Sequence, residues 1–302
     1  MDIFITGGTG FVGTALTGRL LDNGHRVKIL TRKIKPGPHI PDSLTFVEGN
    51  VSSEGEWMKH LTDCDAVINL AGASIFKRWT ENYKDTLLNS RILSTENIVQ
   101  ALENRKKDDV VLISASAVGY YGFHGDEKLY EDNPPGSDFL ALLSKEWEET
   151  ACKAEKSGVR VITDRLGVVA GKSGGALGQM IPVFKYRLGS PLGSGQQFFS
   201  WIHIKDLTDI FLMQVENRGL RGPFNCTAPN PVTNRELTGT LALVMNKPVF
   251  LPPVPGFVLK LVMGEFADVL LKGQRVFPKR LIDSGYNFRF PEIESALRDI
   301  LS

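Results

Sequence analysis

The chain has 302 residues, 42% of them hydrophobic, and a formal net charge of +1. That length accommodates one large α/β domain with a smaller appended region, and the near-neutral charge argues against a nucleic-acid footprint or attraction to a membrane surface. No apolar run approaches the length of a membrane span, the N-terminus has no cationic region followed by an apolar core, and Cys64, Cys152 and Cys226 form no pairing pattern; we expect a cytoplasmic protein with reduced thiols and no membrane partner. Five scattered histidines without a ligand spacing give no metal site.

The first element is an apolar strand at Ile3, Phe4 and Ile5. It runs through Thr6-Gly7-Gly8-Thr9-Gly10-Phe11-Val12-Gly13 into a helical pattern with Leu16, Leu20 and Leu21 on one face. The run satisfies G-x-G-x-x-G from Gly8 and G-x-x-G-x-x-G from Gly7. On a strand-to-helix turn, one glycine allows the tight turn, one lets backbone approach a pyrophosphate, and one lets the helix pack against the strand. The helix start then offers free N–H groups and a positive dipole end to phosphates. A second strand over residues 25–31 ends in Thr31-Arg32-Lys33. An acid there would read the ribose hydroxyls of NAD; arginine and lysine pair instead with a 2′-phosphate, so the expected cofactor is NADP(H).

Strands follow at residues 44–47, 66–70, 110–113 and 159–165, separated by a short helix at 57–61 and longer helices at about 79–103 and 138–157. Apolar strands alternating with helices imply parallel pairing through right-handed crossovers, hence an α/β, Rossmann-type doubly wound parallel sheet. Asn69-Leu70-Ala71-Gly72 ends one strand with small residues that let a dinucleotide cross, Asn50 follows another, and Arg91 lies on the long helix within possible reach of cofactor or substrate. After Gly171, glycine and proline become dense and the alternation loosens, as in loops and helices that cover the carboxyl ends of strands. Helices are expected at 257–271 and 292–301. We therefore divide the chain into a nucleotide-binding domain, 1–170, with strand and helix contributions from about 203–230, and a mixed substrate-side region, 171–302. Trp201 and His203 are substrate-contact candidates. Lys272, Arg275, Lys279 and Arg280 form a basic cluster that reads first as a solvated face and second as an anion or partner site.

The motifs Gly7-Gly-Thr-Gly-Phe-Val-Gly13, Asn69-Leu-Ala-Gly72, Ser114-Ala-Ser-Ala-Val-Gly-Tyr-Tyr-Gly122, Trp147-Glu148, Gly174-Gly-Ala-Leu177, Phe199-Ser-Trp-Ile-His-Ile-Lys-Asp206 and Gly273-Gln-Arg-Val-Phe-Pro278 occur in order along nearly the whole chain. In these the chain resembles the extended short-chain dehydrogenase/reductase superfamily. More narrowly it resembles an atypical NAD(P)-dependent epimerase/dehydratase-like family that carries a C-terminal domain of unknown function, here 248–302, and that is also labelled cell-division inhibitor.

The resemblance implies an NADP(H)-binding oxidoreductase or epimerase acting on a small carbonyl or sugar-nucleotide substrate, with a homodimer as the expected assembly. It aligns Ser116 with the superfamily's serine, puts Lys145 in the lysine position, and sets Arg165, Gly167 and Val168 against the nicotinamide. The superfamily's general acid/base is a tyrosine four residues before that lysine. Here Phe139-Leu-Ala-Leu-Leu-Ser-Lys145 carries Ala141 at that position, and none of the six tyrosines has a lysine four residues on. Tyr120 or Tyr121, with Glu131 nearby, is one replacement and His124 or His203 another. In a third reading the protein is a non-catalytic NADP(H)-binding regulator, in which Ser116 and Lys145 hold the nicotinamide end.

Overall fold

The computed structural model describes residues 1–34, 40–172 and 174–302. Its frame is a seven-stranded sheet of β1 (Asp2–Thr6), β2 (Arg26–Thr31), β3 (Leu44–Glu48), β4 (Ala66–Asn69), β5 (Val111–Ala117), β6 (Arg160–Leu166) and β7 (Gly222–Cys226). The spatial order is β7-β6-β5-β4-β1-β2-β3 and every neighbouring pair is parallel. Ile3, Phe4, Ile5, Val67, Ile68, Leu112 and Ile113 have no exposed surface, as expected for strands covered on both faces. The order reverses at β1, which pairs with β2 on one side and β4 on the other. That reversal opens a crevice at the carboxyl ends of the strands, where open α/β sheets bind ligands.

Helices α1 (Phe11–Asp22), α2 (Glu81–Glu103), α3 (Phe139–Cys152), α4 (Gly175–Lys185) and α5 (Ile204–Glu216) connect or cover this frame. Leu16 and Leu20 of α1 join Leu207, Ile210 and Phe211 of α5 in one core layer against the sheet. Ile98 and Leu102 of α2 and Ala151 of α3 belong to the opposite layer. A third cluster, with Trp201 and Leu177, gathers α4, α6 (Asn234–Val244) and α10 (Ile293–Leu301).

The expected elements are present with four instructive shifts. The fifth strand runs on to Ala117, since Ser114 and Ser116 are buried hydroxyl residues that interrupt the apolar pattern without ending the strand. The helix at 138–157 ends at Cys152 and finishes as a 3₁₀ turn, Lys153–Ser157, and the short helix at 57–61 is itself 3₁₀ over Glu56–Leu61. The single helix at 257–271 is two, α7 (Gly256–Met263) and α8 (Phe266–Leu271), because Gly264 at φ +63° leaves the right-handed helical region.

The tail is fastened to the sheet by buried acids. Asp206 accepts from Tyr286 Oη at 3.0 Å, Arg289 N at 2.8 Å and Phe290 N at 3.0 Å. Glu131 Oε1 accepts from Asn225 N at 3.2 Å and from Arg280 N, in α9 (Lys279–Asp283), at 3.1 Å. Burial pushes both carboxyls above the usual range.

Candidate functional site

The glycine turn lies at the head of the crevice. Gly7 has φ +70°, and a Cβ there would stand 2.7 Å from the Leu70 carbonyl oxygen, so only glycine lets β1 and β4 release their chains side by side. A Cβ at Gly13 would collide with the backbone of Gly7 and Gly8; its absence seats α1 on the turn. Gly8, Thr9 and Gly10 complete the loop, and Phe11 and Val12 begin α1 with no side-chain cap and no acid in the first turn. The first amides of that twelve-residue helix thus face the crevice without an anionic competitor.

Asn69 organises the opposite lip. It is fully buried, accepts from Thr6 Oγ1 at 2.6 Å, donates to Thr95 Oγ1 at 2.9 Å and accepts from Ala71 N at 3.3 Å. These bonds fix Leu70, Ala71 and Gly72 beside the glycine turn. Thr31 Oγ1 donates to Lys33 O at 3.2 Å, and Arg32 and Lys33 are exposed at the carboxyl end of β2. Asn50 is exposed after β3, its Oδ1 accepting from Ser52 N at 3.2 Å.

Arg91 of α2 donates to Leu87 O at 3.0 Å and Ala73 O at 3.2 Å, stacks 5.1 Å from the Trp147 ring, and comes within 3.1 Å of where a Gly72 Cβ would be. No carboxylate pairs with it among the described residues. Burial lowers its pKa to about 10. The turn therefore has a partly desolvated, under-neutralised cation at its back.

The glycine-rich segment after β6 also has a definite partner. A Cβ at either Gly171 or Gly174 would stand 2.6 Å from the Phe11 ring, and Gly175, at φ +65°, meets the same ring. Phe11 is thus clasped by these glycines, which brings the start of α4 over the cradle. Gly167 N donates to Cys226 O at 3.0 Å and Val168 N to Ser200 O at 2.8 Å, so these two close the crevice on the side of β6.

At the superfamily's catalytic position the side chains form a closed network. Ser116 Oγ donates to Glu148 Oε1 at 2.6 Å; Arg165 grips both Glu148 oxygens at 2.9 Å; Arg165 Nη1 also donates to Tyr121 Oη at 2.9 Å and Glu131 O at 2.9 Å. Tyr121 Oη donates to Asn225 Oδ1 at 2.6 Å. The Arg165 guanidinium lies 3.5 Å from the Tyr120 ring centroid. This is a fully hydrogen-bonded buried ion pair, whose geometry offsets the cost of removing both charges from water.

Several candidates stand differently from expectation. Tyr121 has no exposed surface, its hydroxyl is engaged on both sides, and burial pushes its pKa up to about 12; no substrate reaches it in this conformation. Glu131 is buried in the tail fastening. Lys145 projects from α3 with nearly half its side chain exposed, 3.8 Å from Glu149, and Glu148 is the residue that meets Ser116. Ala141 is fully buried on α3.

Trp201 is core, with Nε1 donating to Asn230 O at 3.1 Å, which corrects its assignment to substrate. His203 is corrected likewise. Its Nδ1 accepts from Lys205 N at 3.1 Å as the N-cap of α5, its ring stacks 3.9 Å from Phe290, and burial lowers its pKa to about 4. Glu148 as the partner of Arg165 and Asn225 as the partner of Tyr121 were missed, since partners 17 and 104 residues away leave no local spacing.

Among the described residues no cluster of His, Cys, Asp or Glu suits a metal ion, and no helix is long and apolar enough to cross a membrane. A glycine turn at the switch point of a seven-stranded parallel sheet, feeding an uncapped helix, defines a Rossmann-type nucleotide-binding protein. Residues 3–226 match the NAD dependent epimerase/dehydratase family and residues 254–300 match DUF1731, a domain of unknown function. The chain is 42% identical over 303 residues to the epimerase family protein SDR39U1 homolog, chloroplastic, of Arabidopsis thaliana, spanning 100% of this chain and 87% of that one. It is 39% identical to the epimerase family protein YfhF of Bacillus subtilis (strain 168), over 100% and 98% of the two chains. The crystal structure of human epimerase family protein SDR39U1 (isoform2) with NADPH superposes with a TM-score of 0.88 at 35% identity, covering 99% of each chain. The chain belongs to the NAD dependent epimerase/dehydratase family.

Proposed function

We propose that the protein binds NADP(H) across the carboxyl ends of β1, β2 and β4 and exchanges hydride with a small carbonyl or sugar-nucleotide substrate held beneath the segment 171–195. The observation that carries the cofactor reading is the pairing of an uncapped α1 with exposed Arg32 and Lys33, where an NAD-selective site would have an acid. The NADPH in the human relative supports it. The amides of Gly10, Phe11 and Val12 face the pyrophosphate; Thr31, Arg32 and Lys33 hold the 2′-phosphate; Asn50 borders the adenine. Leu70, Ala71, Gly72 and Arg91 line the crossing, and Gly167 and Val168 back the nicotinamide. The cofactor supplies hydride when bound; the chain binds it, orients it and excludes water. Tyr120, half-buried beside Arg165, is the better-exposed phenol of the pair and the proton carrier we assign.

The test is NADPH and NADH titration by fluorescence, followed by turnover against carbonyl compounds and sugar nucleotides. Preference for NADH, or no binding of either, would overturn the cofactor assignment. A second reading, a non-catalytic NADP(H)-binding regulator, draws on one observation: the position of the superfamily tyrosine is Ala141, which is fully buried and carries no ionisable group. Tight NADPH binding with no turnover, and no loss of any function in Tyr120→Phe, would favour it.

A further inference from the structure

Helix α7 departs from the rest of the fold. Apart from Lys260 every side chain it carries is apolar, yet none of its residues is buried. A helix that is apolar on all sides is ordinarily enclosed. Leu259 and Met263, four residues apart, form its half-buried inner face, and Met263 packs toward the cluster of Trp79 and Phe266. Phe257, Val258, Leu261 and Val262 fall on the opposite face by helical spacing. All four are exposed, Phe257 to 73% and Leu261 to 77%.

The apolar surface continues beyond the helix. Leu192 pairs with Val254 in an isolated bridge, Gly193 N donates to Val254 O at 2.9 Å, and Ser190 Oγ donates to Pro252 O at 2.6 Å. These contacts hold the segment that leaves α4 beside the one that leads into α7. Tyr186 and Leu188 on the first and Val249 and Phe250 on the second are exposed as well. Large apolar side chains gathered on adjoining surface segments mark an interaction site.

The same two stretches lack acids. No Asp or Glu occurs between Asp164 and Asp206, nor between Glu236 and Glu265. Lys185 and Arg187 flank Tyr186 and are exposed, and Lys247 precedes Val249 and Phe250. Among the described residues no carboxylate pairs with these three cations. Lys260 is held by Asp268 at 3.1 Å, and Glu265 is held by Lys84 at 2.6 Å. The net charge of +1 averages over this unevenness, so a near-neutral total is compatible with a local attraction to anions.

We propose that this face docks on the surface of a lipid bilayer rich in anionic head groups. Phe250, Phe257, Leu261 and Val262 enter the boundary between head groups and acyl chains, while Lys185, Arg187 and Lys247 meet the phosphates. The contact is peripheral, since no helix among the described residues is long and apolar enough to cross a membrane. Two other occupants fit less well. A two-fold dimer would set the face against its own copy, with cations opposed and no acid of the face to receive them. A partner helix needs a groove, whereas α7, without a buried residue, is itself the projecting element. The docking goes beyond the proposed function and holds with or without bound cofactor.

The test is co-sedimentation of the full chain with vesicles of phosphatidylcholine alone, and of phosphatidylcholine mixed equally with phosphatidylglycerol, at roughly 0.1 M salt. Binding to the mixed vesicles should be tighter by about tenfold or more and should weaken as salt is raised. Phe257→Ser combined with Leu261→Ser should reduce that binding roughly tenfold. Lys185→Gln combined with Arg187→Gln should reduce it about tenfold and remove most of the preference for mixed vesicles. No sedimentation of the wild type with mixed vesicles up to about 2 mM lipid, or unchanged binding in either double variant, overturns the proposal. So does a dimer, seen by sedimentation equilibrium, that the serine pair dissociates while vesicle binding is absent; the face then belongs to a second copy. If the serine pair does not fold, judged by circular dichroism, the glutamine pair decides, and unchanged binding in it overturns the docking face.

Discussion

The two sides of the crevice are built by opposite means. The cofactor side, Gly7 to Gly13 with Asn69 to Gly72, is assembled from short runs in which missing side chains create space and free amides provide attraction. The side toward the superfamily's catalytic position is filled, and its polar groups are spent on one another: Ser116 on Glu148, Glu148 on Arg165, Arg165 on Tyr121, Tyr121 on Asn225. An open cradle can be recognised from the residues it contains, whereas a closed network is defined by partners that no local pattern brings together.

That contrast can be broken most forcefully at Gly13. Gly13→Val places atoms inside the backbone of Gly7 and Gly8 and should abolish NADPH binding, a loss of roughly 100-fold or more, with lowered stability; retained affinity by fluorescence titration would show that the turn does not set the cradle. On the closed side, Arg165→Met strands a buried Glu148 and should cost about 3–5 kcal/mol in chemical denaturation. The double variant with Glu148→Leu should recover much of that loss; a cost that simply adds would contradict the pairing.

Arg32→Ala should weaken NADPH by about 10–100-fold while leaving NADH nearly unchanged, read as the ratio of the two dissociation constants. An equal loss for both would place Arg32 outside the 2′-phosphate contact. Tyr121→Phe removes a hydroxyl between Asn225 and Arg165 and should cost about 1–3 kcal/mol of stability with cofactor affinity intact. Any turnover should survive it and be lost in Tyr120→Phe; the reverse outcome would return the proton role to Tyr121.

A further effect is one of pH. Asp164 is fully buried, accepts from Gln214 Nε2 at 2.7 Å, and burial raises its pKa to about 7. The native state therefore keeps a proton that the unfolded chain, titrating near 4, has already released. The stabilisation is complete below about pH 4 and is lost as pH rises toward 7. His203, held near 4, opposes this over the acid part of the range, because the unfolded imidazole takes up a proton that the folded one refuses. The informative quantity is the difference between wild type and Asp164→Asn, which cancels the histidine. Relative to wild type the variant should gain stability from pH 4 to 7, and a flat difference would mean that Asp164 is ionised in the fold.

How far the chain was readable follows the same division. The doubly wound parallel sheet and the glycine turn between its first strand and helix were legible because apolar runs and glycine spacing are local signals. The sequence reading of Trp201 and His203 as substrate contacts failed for a physical reason. Their segment does run near the crevice, yet Val168–Ala170 pairs with Trp201–His203 and turns both side chains inward, one into the core and one onto the start of α5. Glu131 reads from the sequence as a catalytic candidate beside Tyr121, and Asp206 only as the end of a motif; the distant amides they accept from reveal both as fastenings.

The Phe11 ring, clasped by Gly171, Gly174 and Gly175, ties two distant stretches of chain into a single evolutionary unit. A bulkier residue in the later stretch is tolerable only with a smaller one at position 11, so the two should drift as a correlated pair. Grafting the cradle alone onto another scaffold would leave an aromatic side chain with no socket.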